Sequence, residues 1–180
     1  MLQNRIANKS ALLHTLSVSK LFSLWVGLGF VLFSYSSYAN SFHSELRSQT
    51  QNLPLEAEWC LPIGDCILLE VADTAKEQKI GLMGRSSLLR GTGMWFQFSP
   101  PQIVRFWMHK TFIPLDMIFF SEGFIVAIET DLSACLFPPC PKYGPNKLVD
   151  GVVELAAGEV ERLLIEVGDS VDIKYKNIRY

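Results

Sequence analysis

One acid is set inside the most apolar stretch of this chain, and any fold that buries the stretch must also deal with the charge. Phe106-Trp107-Met108-His109-Lys110-Thr111-Phe112-Ile113-Pro114-Leu115-Asp116 runs directly into Met117-Ile118-Phe119-Phe120. An ionised carboxylate taken out of water is costly unless it is paired and hydrogen-bonded. Arg85 and Lys110 are the cationic partners to consider, Arg85 because a guanidinium can clamp a carboxylate through two bonds. The competing expectation is that Asp116 bonds backbone amides around the turn after Pro114, as aspartate readily does.

The N-terminus carries Arg5, Lys9 and Lys20 with no acid before Glu45, then the apolar run 21–33, then small and aromatic residues ending Ser37-Tyr38-Ala39. This pattern predicts a signal peptide over 1–39 with a small-x-Ala cleavage site. The apolar run is short of the roughly 20 residues that a membrane span needs, so membrane attachment is expected only if this segment stays uncleaved. Cleavage leaves about 140 of the 180 residues, a length suited to one domain. Losing Arg5, Lys9 and Lys20 takes the formal balance from 16 bases against 18 acids to 13 against 18, which disfavours a nucleic-acid partner. Residues 40–59 are polar and predicted to be a flexible lead-in, with one globular domain over 60–180.

Cys60, Cys66, Cys135 and Cys140 all lie in the exported part, and an even count in an oxidising compartment points to disulfides. Of the three possible pairings the two local ones are favoured, because Leu61-Pro62-Ile63-Gly64-Asp65 and Leu136-Phe137-Pro138-Pro139 are short returns preset by proline or glycine. Loops this small contribute about 2 kcal/mol each, so they would be staples on a domain that already has a core. A four-cysteine zinc site fits the spacing poorly. His14 and His43 precede the domain, which leaves His109 as its one histidine. No metal and no cofactor is expected, and a copper site made from Met83, Met94 and Met108 lacks supporting ligands.

Alternation at Ile67, Leu69 and Val71 predicts a strand over 66–71. Thr74 with Glu77 makes a capping box opening a helix of about three turns, to Met83, with a stop near Gly84. Strands are predicted over 94–98, ended by Pro100-Pro101, and over 104–110, with Val104, Phe106 and Met108 on one side and Arg105, Trp107 and His109 on the other. Residues 117–120 and 124–129 flank Ser121-Glu122-Gly123 as an antiparallel hairpin. The proline-bearing stretch 132–146 is predicted to be a rigid loop, 148–155 a strand, 159–164 a short helix and 171–175 a last strand. The sum is α+β: a small, mostly antiparallel curved sheet or partial β-barrel of about seven strands with two short helices.

Gly81-Leu82-Met83-Gly84-Arg85, Gly93-Met94-Trp95-Phe96-Gln97-Phe98 and the segment from Phe106 to Asp116, in this order and spacing, resemble the bacterial and archaeal domain-of-unknown-function family numbered 192. The resemblance covers roughly Ile63 to Tyr175 and brings no activity with it. His109-Lys110 stands where that family's pattern usually has Lys-Asn.

For function, the residues offer a cleft lined by Arg85, Trp95, Trp107, His109, Lys110 and Asp116. It would hold a small polar ligand, with tryptophan faces stacking on a sugar or other flat group. The bland counterpart is that the aromatic residues simply pack. There is no Gly-x-Ser-x-Gly elbow, phosphate loop or His-Glu-x-x-His motif. An exported, periplasmic or extracellular binding or accessory module is therefore favoured. The alternatives are a hydrolase with Asp116 as base beside His109 or Lys110, and an envelope interaction protein with an apolar patch around the proline-rich loop.

Overall fold

A computed structural model describes residues 50–176, so the expected signal peptide over 1–39 and the first half of the lead-in lie outside the described residues. In chain order the elements are β1 (Leu55–Cys60), β2 (Cys66–Ala72), α1 (Ala75–Ile80), β3 (Thr92–Gln102), β4 (Leu115–Ser121), β5 (Phe124–Leu132), β6 (Val149–Ala156), α2 (Glu159–Arg162) and β7 (Ile173–Tyr175). They form a seven-stranded sheet ordered β5-β4-β6-β3-β2-β1-β7, an α+β architecture. β2 and β3 run parallel, joined through α1, and the other pairings are antiparallel. The sheet curls enough for the chain entering β7 to reach the opposite edge, where Ile125 N donates to Asp169 O at 2.9 Å and Val171 N to Gly123 O at 2.8 Å. No helix among the described residues is long and apolar enough to cross a membrane.

Both faces of the sheet are covered. The inner face carries Trp59, Ile67, Leu69, Ile118, Phe120, Val153 and Leu155, closed by Val160, Leu163 and Ile165 at and just after α2. The outer face carries Met94, Phe96, Met117, Phe119 and Val152, closed by Leu82, Val104 and Met108 from the irregular segments. Every residue from Leu115 to Phe120 is therefore buried, which is why that strand reads as a continuous apolar run with no alternation.

Local chemistry explains the ends of the elements. The Thr74–Glu77 capping box forms, with Glu77 N donating to Thr74 Oγ1 at 3.2 Å and Thr74 N to Glu77 Oε2 at 3.1 Å. α1 nevertheless stops at Ile80 rather than at Met83. Gly81 takes a φ of +50°, and this reversal drops Leu82 into the outer core and directs the chain on to Arg85. The β4–β5 hairpin turns through Glu122 and Gly123, both left-handed, as a two-residue hairpin turn requires.

Three expectations are corrected. Residues 55–59 belong to β1, paired to β2 and β7, and not to a flexible lead-in. Leu55, Ala57 and Trp59 alternate with Glu56 and Glu58, so the strand signal was present in the sequence. β3 does not end at Pro100-Pro101; its pairing with β6 breaks after Gln97 and resumes at Gln102. Residues 104–110 are not a strand. Their backbone pairs with the proline-rich loop only as single bridges, Phe106 with Tyr143 and His109 with Cys135. Pro138, Pro139, Pro141 and Pro145 lack the amides a ladder would need. The expected sidedness survives without the ladder, since Val104 and Met108 are buried while Arg105 and Trp107 are exposed. Both local cysteine pairs are disulfide-bonded, Cys60 to Cys66 and Cys135 to Cys140.

Gly151 on β6 lies beneath the Phe120 ring, where an added Cβ would meet Phe120 Cζ at 2.1 Å. Gly151→Ala is expected to destabilise the domain by about 1–3 kcal/mol in chemical denaturation, because the ring has no space to retreat into. An unchanged midpoint would mean that Phe120 repacks freely.

Candidate functional site

Asp116 sits on the inner face, between outer-facing Leu115 and Met117, and it is fully buried. Its Oδ1 accepts from Asp131 N at 2.9 Å and its Oδ2 from Val160 N at 3.0 Å. Neither Arg85 nor Lys110 supplies the partner; the amide expectation has the right chemistry but the wrong amides, since both come from distant segments. The second bond replaces a cap that Gly158, at the start of α2, cannot provide. With both oxygens occupied and no access to solvent, Asp116 has no place in a cleft.

Arg85 belongs to the other face. It forks onto Glu70, Nη1 to Oε1 at 2.6 Å and Nη2 to Oε2 at 2.5 Å, and donates to Gln51 O at 2.8 Å. Glu70 also accepts from Leu53 N at 2.7 Å, so this buried pair fastens the chain entering β1 to the sheet. Trp95 packs against the inner core with Tyr175 5.8 Å from its ring, well away from Trp107. The six expected residues are therefore not brought together.

Trp107, His109 and Lys110 share one segment, and of the three only Trp107 lines a cleft. Lys110 N donates to Cys135 O and Lys110 O accepts from Gly84 N, both at 2.9 Å, which pins this segment between the disulfide loop and the turn after α1. His109 Nδ1 lies 3.8 Å from Cys140 Sγ, and its ring is 5.2 Å from Trp107. Trp107 is 46% exposed and overhangs an open cleft of about 450 Å³ between α1 and residues 102–107. At its inner end a recess of about 30 Å³, enough for one water-sized group, runs past Gln78, Lys79, Phe96, Phe106 and Trp107 to Thr111 and Glu154.

Glu154 is the residue the sequence reading missed. It stands on β6 opposite Met94 on β3 and Met117 on β4. Met94 in turn faces Glu70, so the two acids lie in one cross-strand row on the outer face. Only 4% of Glu154 is exposed, and burial pushes its carboxyl up to about 8 against the opposing pull of the Arg85 guanidinium. The signal was available, because Val152-Val153-Glu154-Leu155 sets an acid in an apolar strand just as Asp116 is set in its own. Among the described residues no group of His, Cys, Asp or Glu is placed to hold a metal ion.

Two substitutions separate the acids by role. Asp116→Ala is expected to cost about 3 kcal/mol in urea unfolding, since two buried amides lose their acceptor. A loss below about 0.5 kcal/mol would show that water replaces the carboxylate there. Glu154 binds its proton more tightly in the folded state than in the unfolded chain, so its contribution is complete below about pH 4.5 and disappears as pH rises through about 8. The wild type should therefore lose stability with rising pH across that window, by up to about 1.4 kcal/mol per unit, relative to Glu154→Gln. Parallel pH profiles for the two proteins would place Glu154 in water.

Two crystal structures are similar to this chain. One is a protein of unknown function from Novosphingobium aromaticivorans, 30% identical, with a TM-score of 0.59, covering 65% of this chain and 83% of that one. The other, described as a candidate transcription regulator from Sinorhizobium meliloti, is 28% identical with a TM-score of 0.58, covering 65% of this chain and 91% of that one. No curated protein matches the chain significantly. A family model matches residues 62–173, from the loop closed by Cys60 and Cys66 into β7, and the chain belongs to the domain-of-unknown-function family numbered 192, described as an uncharacterized ACR.

Proposed function

We propose that this protein is an exported small-ligand-binding module whose ligand lies in the cleft between α1 and residues 102–107. The observation that carries the reading is Trp107, whose large ring stays nearly half exposed above a cleft floored by Phe98 and Phe106. An aromatic face held over a concave apolar surface is the arrangement on which flat or alkyl groups stack. The two disulfides and the basic, then apolar N-terminal pattern support export to an oxidising compartment. Hydrolysis by Asp116 drops out, because that carboxylate is buried and saturated. A role on nucleic acid of the kind suggested for the Sinorhizobium neighbour finds no basic surplus here, the formal charge being −2.

A second reading has its own support. Leu136 and Phe137 stand exposed on the disulfide loop, Phe137 at 73%, as a contact surface for an envelope partner would require. Native mass spectrometry of the protein recovered from its exported fraction separates the two readings. The cleft reading expects a small-molecule adduct that vanishes on denaturation and is absent from Trp107→Ala. That variant should melt within about 0.5 kcal/mol of the wild type, because an exposed side chain contributes little to folding. A protein-sized adduct retained by Trp107→Ala would favour the envelope partner. A large loss of stability would make Trp107 a packing residue and overturn the cleft reading.

A further inference from the structure

We propose that the recess at the inner end of the cleft is a cation subsite: it takes the ammonium head of a small organic amine between Phe96, Phe106 and Trp107, with Glu154 as the counter-ion. The assignment rests on the cleft being a ligand site and names the chemical class of what it binds.

The charges on the outer face do not balance. Glu70 and Glu154 share one cross-strand row, and the Arg85 guanidinium is committed through both its terminal nitrogens to Glu70 and Gln51. Among the described residues two buried carboxyls on this face thus stand against one buried cation, and a buried charge needs a partner. The shortfall is one positive charge. When the recess is empty a proton meets it, consistent with the raised affinity of the Glu154 carboxyl for its proton. When the recess is occupied, an ammonium can meet it instead.

The walls suit that exchange. Phe96, Phe106 and Trp107 line the recess together with Glu154, and aromatic faces attract a desolvated cation through their quadrupole. Thr111, 4% exposed, lines the same space and brings a hydroxyl able to accept from a second N–H. The volume, about 30 Å³, matches a primary ammonium head, while the wider cleft leaves room for an alkyl or aryl tail along Trp107. The charged groups that face Glu154 are Arg85 from the turn after α1, Glu70 from β2 beyond Met94, and Lys79 from α1 at the rim of the recess; its neighbours on β3 and β4 are the uncharged Met94 and Met117. Lys79 is exposed, so its charge is screened by solvent and weakens a bound cation only modestly.

The test is isothermal titration of the disulfide-intact protein with butylammonium and 2-phenylethylammonium, and with the neutral isosteres butanol and 2-phenylethanol, between pH 6 and 9, with Trp107 fluorescence followed in parallel. The assignment expects the amines to bind more tightly than the alcohols. It also expects their affinity to rise up to tenfold per pH unit below about 8 and then level off, with close to one proton released per amine bound at pH 6.5 in two buffers of different ionisation enthalpy. Glu154→Gln should lose at least tenfold in amine affinity together with the pH dependence, and proton release in the wild type decides the matter even if that variant folds poorly. Alcohols that bind as well as amines, perturb Trp107 and ignore Glu154→Gln would overturn the cation subsite and leave the cleft as a ligand site. Amines that bind without proton release, or no response to any of the four probes, would overturn the subsite as well. In that last case the cleft reading stands or falls separately on the adduct sought by native mass spectrometry.

Discussion

Three pieces of chain far apart in sequence are tied together by one carboxylate. Asp116 on β4 accepts the amide of Asp131 at the end of β5 and the amide of Val160 at the start of α2. α2 is a four-residue helix opened by a glycine, too short to hold itself and without a side-chain cap. Fixing its first turn lets Val160, Leu163 and Ile165 lie over the inner face, and that cover is what allows β4 and β6 to be apolar on both sides. The acid in the apolar run is thus a fastening. Its bonds to neutral amides avoid the need for a buried guanidinium on the inner face.

The outer face is closed differently, and the difference locates the cleft. Among the described residues no long helix covers it. A six-residue helix, the segment 103–111 and the proline-rich loop share the task, and the cleft opens where α1 and that segment fail to meet over Phe98 and Phe106. Arg85 does for this face what Asp116 does for the other, binding Glu70 and the carbonyl of Gln51. Both faces therefore carry an acid with saturated bonds. Glu154 is the acid left over, and it is the one at the end of a recess.

Much of the scaffold was legible because local rules set it: the Thr74–Glu77 capping box, the Glu122-Gly123 turn, and the two disulfides closing short loops. The helix end was misjudged, because the left-handed turn at Gly81 serves the packing of Leu82 and not the helix's own pattern. The site was harder to read. Arg85 and Asp116 look like natural partners on paper, yet the pleat puts them on opposite faces, and only the register of β4 against β5 and β6 shows it. Glu154 was hidden by the same fact, since its pairing with Met94 and, through Met94, with Glu70 depends on strands distant in sequence.

Residues 104–110 pair with other strands only as single bridges and carry no share of the sheet's ladder. The wall that bears Trp107 is thus held to the scaffold by the packing of Val104, Phe106 and Met108 and by the Lys110 backbone, while the sheet's ladder does not run through it. Substitutions at its exposed positions, Arg105 and Trp107, can change what the cleft accepts while every strand keeps its register. A fold arranged in this way can diversify its recognition at the exposed positions of that wall while Val104 and Met108 keep it anchored in the core.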